Sequence, residues 1–432
     1  MKTIFSIFSL FFFAMMTHAQ TAEDFADAWD KSHVSIILPS NVRHKDLQKY
    51  LENLKKLGVK IDEAGRSFQN REIHQIEWGR GKTKVFMWSQ MHGDEPTATS
   101  GLIDMFTFLQ NNREKIAWVK KLEETLTIRA IPMLNPDGAE LFQRRNLQGI
   151  DINRDARNLQ TPEGRLLKKL RDEWQPEIGF NLHNQNPLTS VGNTPKQATI
   201  SLLAVSGNPK GETYGGHERN KRICALMIQA LDKFIPKHIG RYEDEYMATA
   251  FGDRISEWGT PVILIETGAL HGKDEMFLIK LNFIANLTAL QSLVDGSEQN
   301  AAAKIYENTP FNDSGNIYNF IFRKANIINP AENNQPFTAD IAVNTERRRA
   351  EIAAPTFVQD IGDLSAVSGL EEYDVKDYYL VHKKGNLKTG ASGEFLFYKK
   401  TRKIDWKTKD LEKNFTPDAV FSNGKWTKPL PK

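Results

Sequence analysis

Cysteine is nearly absent. Cys224 is the only one in 432 residues, so no disulfide can form within the chain. Charge of one sign is not in excess either: 57 basic against 54 acidic residues leave a formal net charge of +3, which points to neither a nucleic-acid partner nor a strongly acidic one. No internal repeat or low-complexity tract is present. Past the first twenty residues, no stretch reads as long and apolar enough to cross a bilayer, and no transmembrane segment is expected in the mature chain. What is present is ample hydrophobic material, 40% of all residues, and a length that suggests two domains at ~100 to 200 residues each.

The long apolar run sits at the start. Lys2 precedes a largely apolar segment over 4–16, followed by Thr17-His18-Ala19. A basic start, an apolar centre too short to span and a small residue at the end read as a signal peptide over 1–19, cut after Ala19. An exported chain without disulfides is closer to bacterial periplasmic enzymes than to eukaryotic secreted ones, so a periplasmic or extracellular location is expected. Cys224 lies on a helical pattern of apolar residues and reads as core, not as a nucleophile.

Helical spacing of apolar residues appears over 47–57, 96–109, 162–174, 217–234 and 276–293, with short buried-strand runs at 126–133, 178–182, 200–205 and 261–265. That alternation predicts an α/β fold, a mixed and mostly parallel sheet with helices on both faces, over residues 20–300. Residues 71–78 and 84–88, joined through Gly79-Arg80-Gly81-Lys82, read as a hairpin. After Val294 the texture changes to strand-like segments at 339–343, 378–382, 393–398 and 419–421 with turn signals between them, which predicts a β-rich C-terminal domain over 301–432. The basic run Lys399-Lys400-Thr401-Arg402-Lys403 reads as an edge strand protected by lysines.

Four strings carry the chemistry: His92-Gly93-Asp94-Glu95, Asp151-Ile152-Asn153-Arg154, Asn181-Leu182-His183 and Ile265-Glu266-Thr267. An H-x-x-E pair, a later histidine and a late glutamate can be read as three zinc ligands and a general base. Zinc takes imidazole nitrogen and carboxylate oxygen, and three protein ligands leave a position where a bound water has its pKa lowered to ~7. The H-x-x-E pair sits between an apolar run ending at Ser89 or Gln90 and a helix starting near Pro96, the turn where α/β sheets form ligand crevices.

With Asn135-Pro136-Asp137-Gly138, Arg144-Arg145-Asn146 and the strand ending at His183 in the same order, the chain from roughly Leu51 to Leu293 resembles the zinc carboxypeptidase family, the funnelin-type metallopeptidases. It is nearer the bacterial murein-peptide amidase and cytosolic-type branches than the digestive enzymes. The resemblance implies one zinc per chain held by His92, Glu95 and His183, with Glu266 as general base. It implies that Asn153 and Arg154 grip a substrate's terminal carboxylate, that Arg144 or Arg145 stabilises the oxyanion, and that Asp151 orients a ligand histidine. Two positions depart from the family: Ala156 stands where an aromatic is usual, and the tyrosine that closes over substrate has no single match among Tyr214, Tyr242 and Tyr246. The implied function is an exported metallocarboxypeptidase acting on peptides or cell-wall stem peptides with a free C-terminal carboxylate. A zinc amide deacylase of the desuccinylase and aspartoacylase type, and an inactive peptide- or glycan-binding protein, are the alternatives.

Overall fold

A computed structural model of the chain describes residues 20–212 and 214–430; the expected signal peptide over 1–19 lies outside them. Ten strands belong to the first domain and its border: β1 Lys60–Arg66, β2 Glu72–Gly79, β3 Thr83–Ser89, β4 Leu126–Ile131, β5 Ile178–Asn184, β6 Ser190–Val191, β7 Ile200–Val205, β8 Ile239–Arg241, β9 Val262–Thr267 and β10 Asn312–Asp313. Eight of them form one mixed sheet in the order β1-β2-β4-β3-β5-β9-β7-β8. Its centre, β4-β3-β5-β9, is parallel, and antiparallel pairings flank it. Alternate residues on each strand feed different cores. Val85 and Met87 join the cluster under helices Thr97–Asn112, Gly215–Leu231 and Glu275–Asp295, whereas Phe86 and Trp88 join the one under Pro162–Trp174 and Phe251–Glu257. Both faces are therefore covered, as the unbroken apolar strands predict.

The expected hairpin over 71–88 does not form. β4 lies between β2 and β3 and pairs with both. Gly79 and Gly81 allow this, because the link crosses the end of β4 at close quarters: a Cβ on Gly81 would sit 1.8 Å from the Thr125 carbonyl carbon, and one on Gly79 would sit 2.2 Å from the Leu126 oxygen. Glycines that read as a turn signal serve a close backbone crossing. A second reading changes too. Helix Glu275–Asp295 is long and apolar enough by composition to span a bilayer, but it is mostly buried within the domain against Thr97–Asn112 and Gly215–Leu231.

The C-terminal domain is an eight-stranded sheet of β11 Ile317–Asn329, β12 Asn333–Thr345, β13 Thr356–Gly362, β14 Ser368–Asp374, β15 Tyr378–His382, β16 Phe395–Lys399, β17 Ala419–Ser422 and β18 Lys425–Lys428. Its core is aromatic, with Phe322, Phe395, Phe397 and Phe421 fully buried. The basic run is not an edge strand: β16, which ends at Lys399, pairs with β15 on one side and β17 on the other, and the remaining basic residues follow it. The border between domains falls later than residue 300, since Tyr306 is buried in the first core and its hydroxyl accepts from Ala204 N at 3.1 Å. β10 then pairs with β6, tying the start of the second domain to the first.

Candidate metal-binding active site

Three parallel neighbours, β3, β5 and β9, end at one edge of the sheet, the place where open α/β sheets bind ligands. His183 on β5 pairs in register with Glu266 on β9, so the two side chains stand next to each other on one face. β3 stops at Ser89, and Gln90, with a left-handed φ of 50°, turns the chain. The Gln90 amide donates to Gly93 O at 2.9 Å and thereby shapes the His92–Glu95 turn. Gly93 is pressed against the helix Pro136–Leu141, where a Cβ would lie 1.9 Å from the Gly138 carbonyl carbon. Asn135 caps that helix by accepting from Gly138 N at 2.8 Å, and its own amide donates to Met91 O at 3.2 Å. The two turns are thus locked together.

Into this frame come His92, Glu95 and His183, all buried, with one donor atom from each within 4.8 Å of the others. Glu95 faces both imidazoles, Oε1 at 2.8 Å from His92 Nδ1 and Oε2 at 2.6 Å from His183 Nδ1. His92 Nε2 donates to Asp151 Oδ1 at 2.9 Å, which fixes the ring and leaves Nδ1 turned to the cluster. Burial opposes charge on His92, but the Glu95 carboxylate and the bond to Asp151 outweigh it and raise its pKa to about 9. Burial likewise lowers His183, whose Nε2 has no partner. Two imidazoles and a carboxylate, converging and oriented from behind, fit a zinc ion.

Arg144 and Arg145 part ways. Arg144 Nε donates to Asp151 Oδ2 at 2.9 Å and its NH1 lies 3.3 Å from Glu95 Oε1, whereas Arg145 donates to Gly149 O at the surface, and it does not line the cleft. Glu266 is buried, and its Oε2 has no hydrogen-bond partner. Burial, then the Glu95 charge, holds its carboxyl well above the usual range. Asn153 N donates to Asp151 Oδ1, and its side chain accepts from Phe251 N at 2.9 Å, docking the Asn153-Arg154 turn beside the site. Arg154 is exposed to the cleft and makes no ion pair among the described residues; its guanidinium donates to Asn153 O at 2.8 Å. Of the three tyrosines, Tyr242 lines the cleft, while Tyr214 bonds to Ser256 and Tyr246 to Glu257.

The space has three connected parts. A central cleft of about 480 Å³ holds the metal cluster, Arg144, Asn153, Arg154, Tyr242 and Glu266. Beyond Asn153, Arg154 and Glu266 lies an end pocket of about 110 Å³, with Asp253, Glu243 and Glu245 among apolar side chains. On the other side, Glu95 and Arg144 are shared with a groove of about 730 Å³ whose far wall is the C-terminal domain. That wall was not legible in the sequence, because nothing in the spacing of β12 and β13 says which surface their connection meets.

Residues 46–200 match the family model for zinc carboxypeptidases. This segment belongs to the zinc carboxypeptidase family. The chain is 31% identical to carboxypeptidase 2 of Trichophyton tonsurans over 160 residues, 37% of this chain and 27% of that protein. It is equally 31% identical to carboxypeptidase 2 of Trichophyton rubrum over 102 residues, 24% of this chain and 18% of that one. The chain thus spans only about a quarter or less of these curated relatives. A metallo-carboxypeptidase crystal structure from Burkholderia cenocepacia overlaps 59% of this chain and 69% of its own, at 18% identity and a TM-score of 0.48. The zinc carboxypeptidase segment contains His92, Glu95, Arg144, Asp151, Asn153, Arg154 and His183. Glu266 lies beyond it, and the β5–β9 register and the lining of the central cleft place it in the site.

Proposed function

We propose that this protein is an exported zinc-dependent carboxypeptidase that removes the C-terminal residue of peptides, cell-wall stem peptides included. The observation that supports it most is Arg154: a guanidinium without an ion pair facing the same cleft as the metal-binding cluster, next to a small end pocket. Held by His92, Glu95 and His183, zinc would supply a Lewis acid with an open position in that cleft. The remaining steps fall to the chain's own groups. Asn153 and the planar Arg154 fork hold the terminal carboxylate. Arg144 donates toward the oxygen of the scissile carbonyl as it gains charge. Glu266, buried and of high proton affinity, takes the proton of the attacking water and passes it to the leaving amine. Tyr242 covers the bound residue.

The end pocket narrows the substrate. Its lining carboxylates, Glu243, Glu245 and Asp253, suit a basic C-terminal side chain. A deacylase has no use for a carboxylate clamp next to a small side-chain pocket, which supports the peptidase reading over that alternative. Glu266→Gln tests the assignment: zinc content should stay at one per chain while kcat falls by ~100-fold or more. Near-normal turnover in that variant would remove Glu266 from the mechanism.

A further inference from the structure

The connection between β12 and β13 belongs to the C-terminal domain yet lies against the catalytic one. Arg349 holds it there. This arginine is 4% exposed, and its guanidinium donates to Ser40 O at 2.9 Å, to Glu140 O at 3.0 Å and to Ala139 O. Ala350 N donates to Ser40 Oγ, Glu351 N to Asn41 Oδ1, and Glu351 pairs with Arg43 at 2.6 Å. A buried guanidinium whose donors are taken up by backbone carbonyls is an anchor.

The anchor sets the position of Arg347, two residues earlier. Arg347 is exposed, lies 5.8 Å from the Phe142 ring centre, and has no hydrogen bond or ion pair among the described residues. The other arginines of the groove are engaged: Arg144 with Asp151, Arg348 with Glu346 at 2.9 Å, and Arg349 with its carbonyls. Asp94, adjacent in the chain to Glu95, marks the metal end, and Arg347 stands on the opposite domain. The route through the site follows from what the three spaces share. A peptide with its terminal carboxylate on Arg154 and its last side chain in the end pocket must run past Glu95 and Arg144 into the groove, where Asn319, Asn344 and Gln359 add polar contacts.

Resting on the carboxypeptidase reading for the direction of the chain, we propose that Arg347 is a specificity-determining residue. It binds a carboxylate side chain on the N-terminal side of the scissile bond, so that the C-terminal domain completes the substrate site and selects peptides acidic upstream of their last residue. Such a pair is partly solvated, so its strength falls with salt.

The test uses blocked pentapeptides ending in lysine, with a single glutamate or glutamine placed in turn at each of the three preceding positions. Binding is measured by calorimetry on the metal-free full chain at low salt, and cleavage in parallel on the zinc-loaded chain. At one position the glutamate peptide should bind about tenfold more tightly than its glutamine twin. Arg347→Ala should erase that difference with an unchanged melting temperature, and Arg347→Lys should keep most of it. Equal or undetectable binding at all three positions, or a preference that survives in Arg347→Ala, overturns the proposal. Cleavage without any glutamate preference would remove the subsite and keep the carboxypeptidase. An Arg347-dependent preference without cleavage would do the reverse.

Discussion

Asp151 serves three partners with two oxygens: Oδ1 accepts from His92 Nε2 and from Asn153 N, and Oδ2 accepts from Arg144 Nε. Burial alone would raise its pKa, but His92 and Arg144 hold it well below the ordinary carboxylate range, so it stays charged. One string of four residues, Asp151 to Arg154, thereby orients His92 of the metal-binding cluster, Arg144, and the Asn153-Arg154 turn to which the carboxylate clamp is assigned in the proposed function. The resemblance named these residues in the sequence, but not which arginine of the Arg144-Arg145 doublet turns to Asp151, because that depends on the fold of the loop. Asp253 is the opposite case, a side chain whose meaning depends on a cavity. Burial, then the nearby Asp244 charge, raises its pKa to about 7. Because that is above the unfolded value of ~3.9, the carboxyl does not weaken the fold below that value, and stability is lost as pH rises toward 7. Asp253→Asn should therefore melt a few degrees higher than wild type at pH 8 and at the same temperature at pH 3.5 by calorimetry. The same variant should lose about thirtyfold in kcat/KM on peptides ending in lysine, ~2 kcal/mol for a desolvated charge pair, and little on peptides ending in leucine. A variant that is neither stabilised nor less selective would show that the end pocket does not hold a basic side chain.

At the scale of elements, glycine decides more than the apolar pattern does. The periodic helices and buried strands were legible, and Ile200–Val205 lies where its β-branched run predicts. The β2–β3 link was misread because a glycine pair that permits a tight turn also permits a close crossing, and the sequence does not say which backbone is being crossed. β11 went unread for another reason. Lys324 sits at a left-handed φ of 54° and the register slips between Phe322 and Ala325, so a thirteen-residue strand carries no continuous alternation. The same logic gives a prediction at the site. Gly93→Ala would drive a Cβ into the Gly138 backbone, which cannot move without disturbing the Asn135 cap. The expected result is a folded protein with zinc content well below one per chain by elemental analysis. Full zinc occupancy would show that the turn does not depend on that contact.

Among the described residues, two eight-stranded sheets share one cleft, and a two-stranded ribbon joins them. β6 pairs with β10, Asn312 Nδ2 donates to Gln185 Oε1 at 2.8 Å, and Arg349 reaches across to the catalytic domain, so the β-rich domain forms a wall of the site. Four of its strands were expected from turn signals, but its placement was not, since the Arg349 anchor docks on backbone carbonyls of Ser40, Ala139 and Glu140 that any sequence offers. Replacing the anchor exposes how much rests on it. Arg349→Met leaves those acceptors unsatisfied at about 1 to 3 kcal/mol for each buried group, and should open the connection between β12 and β13 to limited proteolysis while the catalytic domain stays intact. Unchanged cleavage kinetics at that connection would argue that the domains are held elsewhere.

In the proposed function, a terminal carboxylate held by Arg154 places the scissile bond at the metal-binding cluster. This placement is tested most directly by comparing one peptide with a free C-terminus against the same peptide amidated, on zinc-loaded wild type and Arg154→Ala. Amidation should cripple the wild type, and Arg154→Ala should lose roughly 2 to 5 kcal/mol of transition-state binding on the acid while scarcely telling acid from amide. Equal cleavage of acid and amide by the wild type would contradict it.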